Sequence, residues 1–243
     1  MNLPPECNAL GQGLGMSLPH WVPARHPPRV VLEGVRVRLE PLEGSRHAAQ
    51  LFAAFGQDVT GALWTYLPVG PFATETAFEG WVAAVAYGSD PQFFAICERA
   101  TGQALGIAAY LAIEPAHGSI EVGHIAFSPR LARTAMATEA MVLMMAQAFS
   151  LGYRRYEWKC NALNEPSRQA ALRLGFTPEG LFRQHRIVKG RNRDTAWYSI
   201  IDREWPNLYA VFQTWLAPEN FDGGGRQIRR LSEVMRAALT IVR

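Results

Sequence analysis

Cysteine is scarce in this sequence and is not arranged for a structural role. Cys7, Cys97 and Cys160 are odd in number among 243 residues, widely spaced, and form no CxxC pair. This pattern argues against both a disulfide framework and a zinc site. The six histidines are equally scattered and lack the i, i+4 spacing that would place two imidazoles on one helix face. We therefore expect no metal in the chemistry of this protein.

Long apolar runs and a strong excess of one charge are also missing. No run approaches the roughly 20 apolar residues that a membrane span needs, and the N-terminal segment has no signal-like core. The 24 Lys and Arg residues exceed the 21 Asp and Glu residues only slightly, which does not indicate a nucleic-acid coat. A cytoplasmic location without a membrane partner is the expectation, and 49% hydrophobic residues suffice for a substantial core.

The chain divides into three predicted parts. Residues 1–34 are rich in Gly and Pro and predict a flexible or draped arm. Alternating apolar and polar residues begin at Val35 and open a domain over residues 35–202. Residues 203–243 predict a C-terminal helical extension with a basic tail. The domain order is a strand, two helices, three strands, a helix, a strand, a helix and a hairpin, which indicates an α+β fold with a mixed sheet of about six or seven strands.

Local signals place the ends of several helices. Ser45 and Thr74 are candidate caps for the first two helices, and the third is expected over residues 136–151. In the stretch LNEPSRQAALRLGF, residues 163–176, Asn164 can cap a short helix and Gly175 can end it. Ser167, Ala170, Ala171 and Leu174 would then share one face, as they would in any packed helix.

The order Asn-x-x-Ser followed by Leu-Gly-Phe resembles motif B of the GNAT superfamily of acetyl-CoA-dependent N-acyltransferases. The strand, loop and helix over residues 119–152 stand where motif A of that family belongs. Within them the run Ala-Thr-Glu-Ala at 137–140 resembles the ribosomal-protein N-acetyltransferase (RimJ/RimL-like) branch. The resemblance implies the GNAT fold, with acetyl-CoA as co-substrate and an amine as acceptor.

The loop of motif A departs from the family pattern Gln/Arg-x-x-Gly-x-Gly/Ala. Aligned on Ala137, the chain has Ala132 at the Gln/Arg position and Ala135 at the first Gly. Ala135 would be strained if that position needed a glycine-only conformation, and Arg130 and Arg133 are side chains that could compensate.

The resemblance implies three groups of contacts with acetyl-CoA. They come from the end of the motif A strand, from the loop and helix start that would hold the pyrophosphate, and from the motif B helix. The residues are Ile125, Ala126, Phe127, Arg133, Thr134, Ala135, Met136, Ala137, Thr138, Asn164 and Ser167.

Amine acetylation needs a base for the amine and an acid for the departing thiolate. Glu121 is the preferred base, with an ion-paired carboxylate as the alternative. Ser167 is the candidate acid, because Phe176 stands where many GNAT enzymes have a tyrosine; a purely structural cap is the alternative. Regular strand alternation would point Glu121 and His124 to opposite faces, and His124 is expected to line the substrate site.

The sequence gives fewer signals for the residues that would bind the acceptor than for those that would bind acetyl-CoA. Trp64 and Tyr66, with Phe72 and Trp81, could form an aromatic wall, although core packing explains each equally well. Arg183 and Arg186 belong to a basic cluster that is either solvated hairpin charge or, if it faces that wall, a contact for an acidic acceptor. The basic cluster consists of Arg183, Arg186, Lys189, Arg191 and Arg193.

The leading prediction is direct transfer of an acetyl group from acetyl-CoA to the primary amine of a protein N-terminus or a small molecule. A G-x-S-x-G elbow and a recognisable Cys/His nucleophile arrangement are both missing, which agrees with direct transfer. The alternatives are a non-catalytic acyl-CoA-binding or regulatory module and, more weakly, a nucleic-acid-associated protein. A monomer and a homodimer are both left open.

Overall fold

One eight-stranded sheet organises the fold in a computed structural model that describes residues 6–241, with side chains through residue 237. Its spatial order is β1-β2-β3-β4-β5-β6-β8-β7, and every neighbouring pair is antiparallel except β5 and β6. The strands are β1 (Leu32–Glu33), β2 (Val37–Pro41), β3 (Gln92–Glu98), β4 (Ala104–Glu114), β5 (Ser119–Phe127), β6 (Arg155–Asn161), β7 (Thr177–Val188) and β8 (Arg191–Ile201).

Six α-helices lie among the described residues and cover both faces of this sheet. They are α1 (Gly44–Phe55), α2 (Glu75–Val85), α3 (Ala135–Ser150), α4 (Glu165–Arg173), α5 (Trp205–Leu216) and α6 (Leu231–Ile241). An aromatic-rich core holds α1 and α2 against one face, and a larger core holds α3, α5 and α6 against the other. The predicted α+β fold is confirmed, with eight strands where about six or seven were expected, because the two-residue β1 pairs with β2.

The capping signals were correct at α2 and α4 and wrong at α1. The Thr74 hydroxyl accepts from the Ala77 amide at 3.2 Å, and Asn164 caps α4 in the same way. Gly175 follows α4 with φ +85°, as expected of a left-handed helix stop. Ser45 is not a cap, because α1 begins one residue earlier, at Gly44, with Glu43 as the N-cap residue. The Ser45 hydroxyl instead donates to the Glu43 carboxylate at 3.0 Å.

The segment before β1 lies along the sheet-and-helix body. The Trp21 indole N–H donates to the Ala116 carbonyl at 2.9 Å, and the Ala24 amide donates to the Pro115 carbonyl at 3.0 Å. The Trp21 ring occupies the space beside Gly118, where an added Cβ would lie 2.4 Å from it. Residues 1–5 of the predicted arm lie outside the described residues. Among the described helices, none combines the length and the apolarity needed to cross a bilayer.

Glu139 ties α3 to the start of β2. Its carboxylate, 5% exposed, accepts the amides of Val35, Arg36 and Val37 at 3.1, 2.7 and 2.9 Å. These amides lie just before β2 or at its first residue. Glu139 therefore accepts hydrogen bonds from main-chain donors that have no partner in the sheet. An ionised carboxylate is well suited to this because it only accepts hydrogen bonds.

We expect Glu139→Gln to lower the free energy of unfolding by about 2 kcal/mol, because one acceptor oxygen is replaced by an NH₂ group that faces main-chain donors. Urea denaturation measures this loss. Glu114→Gln, at the exposed end of β4, is the matched control and should change stability little. Equal stability of the two variants would show that the Glu139 contacts contribute nothing net.

Candidate active site

The candidate site is the cleft that opens where β5 and β6 separate. The two parallel strands are paired over only four residues each, ending at Val122 and Trp158. Beyond that point a cavity of ≈ 580 Å³ lies between the strands. The first turn of α4, residues 63–68 and the β7–β8 hairpin complete its walls. This volume is typical of small-molecule sites.

A bulge in β5 brings His124 into this cleft. His124 and Ile125 together stand opposite the single residue Ala108 of β4, and His124 has φ +49°. The bulge interrupts the strict alternation of side chains, so His124 and Glu121 both line the cleft. The expectation that they would not share a pocket was therefore wrong, because it assumed a regular strand.

Glu121 is buried in the cleft wall and forms an ion pair there. Its Oε2 lies 2.8 Å from Lys159 Nζ, which also lies 2.6 Å from Glu157 and 4.1 Å from the centre of the Trp197 ring. Burial is the largest influence on the pKa of Glu121 and raises it, while Lys159 opposes the rise. The result is a raised pKa, which keeps the carboxyl more basic than an exposed glutamate.

The surroundings of His124 favour its neutral imidazole. Burial, followed by the charge of Arg193, lowers its pKa. Its ring centre lies 5.1 Å from that of Phe93, and the ring makes no hydrogen bond within residues 6–237. His124 is therefore available to a ligand in the cleft.

The first turn of α4 forms the facing wall. Asn164 Oδ1 accepts the Ser167 amide at 3.2 Å, and Ser167 Oγ accepts the Trp158 indole N–H at 3.0 Å. The side-chain amide nitrogen of Asn164 makes no hydrogen bond to the described residues. Cys160 lies on the same wall, but burial raises the pKa of its thiol, which is unfavourable for a nucleophile.

The loop before α3 places its left-handed residue at Arg133, with φ +63°. Ala135 is the first residue of α3 and is not strained, so the expected alignment is corrected by two residues. With Arg133 at the first Gly position of the family pattern, Arg130 takes the Gln/Arg position and Ala135 the last. The Arg130 side chain itself is held by Gln103 at 2.7 Å and Glu98 at 3.1 Å.

The start of α3 offers main-chain donors. Thr134 caps the helix by accepting the Ala137 amide at 3.2 Å, while the amides of Ala135 and Met136 have no acceptor in the described part of the chain. Such a helix start attracts anions. Thr138 is buried, and its hydroxyl accepts from Arg173 at 3.1 and 3.2 Å, which joins α3 to α4.

The predicted site residues divide into those that line the cleft and those that do not. Those that line it are Tyr66, Glu121, His124, Ile125, Phe127, Asn164 and Ser167. Ala126 is fully buried toward the α1–α2 core, and residues 133–138 lie at the α3 start, outside this cavity. Sequence reasoning gave no role to Lys159 and Cys160, and it treated Arg193 only as part of the basic cluster.

The acceptor side differs from the expected aromatic wall. Trp64 is buried against Phe55 and Phe72, with ring centres 5.3 and 5.4 Å away, so it packs the α1–α2 core and does not line the cleft. Trp81 joins the same cluster, 5.5 Å from Phe72. Tyr66 does line the cleft, and its hydroxyl donates to the Leu163 carbonyl at 3.1 Å.

The basic hairpin contributes one of the two expected arginines and one other. Arg183 is exposed and is not among the residues that line the cleft. Arg186 and Arg193 do line it. Arg186 therefore lies where the sequence analysis placed it, and Arg193 takes the place predicted for Arg183, because the irregular path of β7 determines which side chains face the cleft.

Among the described residues, a cluster of potential metal ligands lies on the α1 side of the core. Atoms of Glu40, His47 and Cys97 lie within 4.8 Å of one another. Glu40 is already paired with Arg38 at 2.6 Å, and His47 Nδ1 accepts the Glu43 amide at 3.0 Å. The proton of His47 therefore sits on Nε2, which donates to Glu40 at 3.1 Å. Both nitrogens of His47 and the Glu40 carboxylate are thus engaged by neighbouring groups. Burial raises the pKa of the Cys97 thiol to about 12, which disfavours the thiolate that a metal would bind.

A family model for the acetyltransferase (GNAT) domain matches residues 36–177. The chain belongs to the GNAT acetyltransferase family. This confirms the resemblance carried by the motif A and motif B residues.

Relatives of this GNAT protein agree with that assignment. A GCN5-related N-acetyltransferase from Brucella melitensis has a crystal structure with TM-score 0.88 and 48% identity, covering 90% of this chain and 100% of that chain. The uncharacterized N-acetyltransferase p20 of Bacillus licheniformis is 29% identical over 113 residues, 46% of this chain. The chain spans 63% of the length of that curated relative.

A structure of RimL, a ribosomal L7/L12 alpha-N-protein acetyltransferase, in complex with coenzyme A shares the fold. It has TM-score 0.59 and 19% identity, covering 71% of this chain and 99% of that chain.

The corrected position of the left-handed residue in this GNAT loop can be tested with two glycine variants. Arg133→Gly relieves a conformation that is unfavourable for residues with a Cβ, whereas Ala135→Gly only adds backbone freedom at a helix start. We expect Arg133→Gly to be the more stable variant by about 1 kcal/mol in urea denaturation. Greater stability of Ala135→Gly would return the left-handed position to residue 135.

Proposed function

We propose that this protein is an acetyl-CoA-dependent N-acetyltransferase that transfers the acetyl group directly to a primary amine. The observation that supports it best is the cleft between β5 and β6, where the bulge and Glu121 lie on one wall and Asn164 and Ser167 on the other. In a family of acetyltransferases, this arrangement brings a proton acceptor, hydrogen-bond donors and a hydroxyl group together in one cavity.

The residues present fit acetyl-CoA. The amides of Ala135 and Met136, which have no acceptor among the described residues, would bind its pyrophosphate at the positive end of α3. The free side-chain amide of Asn164 would donate to the pantetheine arm, and a main-chain N–H of the β5 bulge would donate to the thioester carbonyl oxygen. Acetyl-CoA supplies the activated acetyl group.

Glu121 is our proposed base for the amine. Lys159 occupies Oε2, while Oε1 has no hydrogen-bond partner within residues 6–237 and can accept a proton from the acceptor, directly or through one water. Burial favours this role because it raises the pKa of the carboxyl, and the ion pair with Lys159 opposes the rise and favours the anion. His124 lines the acceptor side of the same wall.

Ser167 is our proposed acid for the departing thiolate. Its oxygen accepts the Trp158 indole N–H, which polarises the hydroxyl and favours release of its proton. The same contact fixes the direction of the hydroxyl, and the Asn164 cap fixes the turn that carries it.

The first experiment combines calorimetry with acetyl-CoA and a thiol-release assay over a panel of primary amines and ribosomal-protein peptides. We expect saturable binding and turnover with at least one acceptor. If no binding is detected at about 1 mM acetyl-CoA, the binding free energy is weaker than about −4 kcal/mol. That result would contradict both the enzyme and the binding-module hypotheses. Binding without turnover over the whole panel would favour the non-catalytic module.

Glu121→Gln tests the base. We expect a fall in kcat of about a hundredfold or more, because general-base catalysis is lost, with an unchanged acetyl-CoA dissociation constant. Glu114→Gln is the control carboxylate outside the cleft. Unchanged turnover in Glu121→Gln would remove Glu121 from the role of base.

Lys159→Gln tests the electrostatic control of Glu121. Lys159 lowers the pKa of the Glu121 carboxyl, so its removal should raise that pKa. Because Glu121 must be deprotonated to act, the acidic limb of the kcat/KM profile should move to higher pH. Activity should then fall more at about pH 6 than at about pH 8. An acidic limb in the same position as in the unmodified protein would show that another group titrates there.

A further inference from the structure

Two arginines face the cleft without a carboxylate partner. Arg186 of β7 and Arg193 of β8 are direct cross-strand neighbours, and both line the cavity. Neither forms an ion pair with any described residue. The Arg193 guanidinium makes a single hydrogen bond there, from Nε to Thr195 Oγ1 at 3.2 Å, and Arg186 makes none.

Such an arrangement is unfavourable by itself. Like charges directly opposite each other on antiparallel strands repel. Arg186 is exposed, whereas Arg193 is partly buried and loses hydration without a carboxylate at ion-pair distance among the described residues. Burial lowers the pKa of Arg193, the nearby Glu121 and Cys160 oppose this effect in part, and Arg186 adds to it. Elsewhere in the same sheet a partly buried arginine is fully paired, since Arg155 contacts both Glu157 and Glu179.

The two nearest acids are engaged by other groups and form no ion pair with either arginine. Glu121, the acid of the cleft wall, is held by Lys159. Asp194, next to Arg193 in sequence, accepts the Gln184 amide at 2.7 Å and the Asn192 side chain at 2.9 Å. Those contacts stabilise the irregularity of β7 between Phe182 and Arg186, after which Arg186 stands opposite Arg193. The hydrogen bonds of Asp194 thus stabilise the strand register that places Arg186 opposite Arg193.

We propose that Arg186 and Arg193 bind an anionic group of the acetyl acceptor, so that the preferred acceptor is a primary amine that also carries a carboxylate or a phosphate. This proposal rests on the acetyltransferase function proposed above. The guanidinium fork matches both kinds of anion. The phosphates of acetyl-CoA are assigned to the start of α3, whose residues 133–138 do not line this cavity.

The test uses matched acceptors that differ in the anionic group: β-alanine with β-alaninamide, and O-phosphoethanolamine with ethanolamine. We expect kcat/KM for the anionic member of at least one pair to be about tenfold higher or more. The pair that shows the larger difference identifies the anion as carboxylate or phosphate. Equal or better use of both neutral members would overturn the proposal while leaving acetyl transfer intact.

Three hairpin variants assign the effect to the cleft. Arg193→Gln should lower kcat/KM for the anionic acceptor about tenfold or more and leave the KM for acetyl-CoA unchanged. Arg193→Lys keeps the charge without the fork and should retain part of the preference. Arg191→Gln, at the exposed hairpin tip and outside the cavity lining, is the matched control and should behave as the unmodified protein. A raised KM for acetyl-CoA in Arg193→Gln, with an unchanged acceptor KM, would overturn the assignment.

Binding provides a second readout if none of the four probes is acetylated. Calorimetry of β-alanine and O-phosphoethanolamine is then performed on the CoA-saturated protein. Binding that is lost in Arg193→Gln and kept in Arg191→Gln supports the anion site, and equal affinities or no binding to the unmodified protein overturns it. Failure of the enzymatic function itself would be recognised separately, by the lack of acetyl-CoA binding in calorimetry.

Discussion

The separation of β5 and β6 is the constraint on which the rest of the site depends. The two strands are joined through α3, which crosses one face of the sheet, and they remain paired only as far as Val122 and Trp158. Past that point each strand has main-chain groups that the sheet cannot satisfy, so the fold requires either water or a ligand there. The bulge and the first turn of α4 are then the elements that offer hydrogen bonds to a ligand in the gap, and the start of α3 offers further donors outside it.

Burial and pairing act in opposite directions on the charges around this gap. Glu121 loses hydration in the cleft wall, which raises its pKa, and Lys159 returns part of the lost stabilisation of the anion. Lys159 Nζ also lies 2.6 Å from Glu157 Oε2, so the charge of Lys159 is shared between two carboxylates. This shared ion pair holds Glu121 in place while its carboxyl keeps a raised pKa. Arg193, on the adjacent wall, has no carboxylate at ion-pair distance among the described residues.

Local chemistry in the sequence predicts local structure well. Thr74 and Asn164 cap their helices, and Gly175 ends α4, because each signal acts within four residues of its own position. Ser45 shows the limit of such reasoning, since a neighbouring residue, Glu43, can take the N-cap position. The α+β fold and the gross position of the cleft also follow from the motif order.

Features that depend on strand pairing or on an unusual backbone conformation could not be predicted from local sequence signals. The bulge at His124 arises from how β5 pairs with β4, and the left-handed residue before α3 has an arginine where glycine would have marked it.

The acceptor wall illustrates why substrate chemistry is harder to read than fold. Tyr66 bonds to Leu163, and Lys189 Nζ donates to the Trp64 carbonyl at 2.8 Å, so the α1–α2 connection is tied to both α4 and the hairpin. These contacts join segments about a hundred residues apart and leave no periodic signal in any one segment. Because Leu163 directly precedes Asn164, the acceptor wall and the proposed pantetheine wall share one turn of chain. Tyr66 is therefore linked through Leu163 to the cap of α4, and we expect a ligand that displaces Tyr66 to affect the turn that carries Ser167.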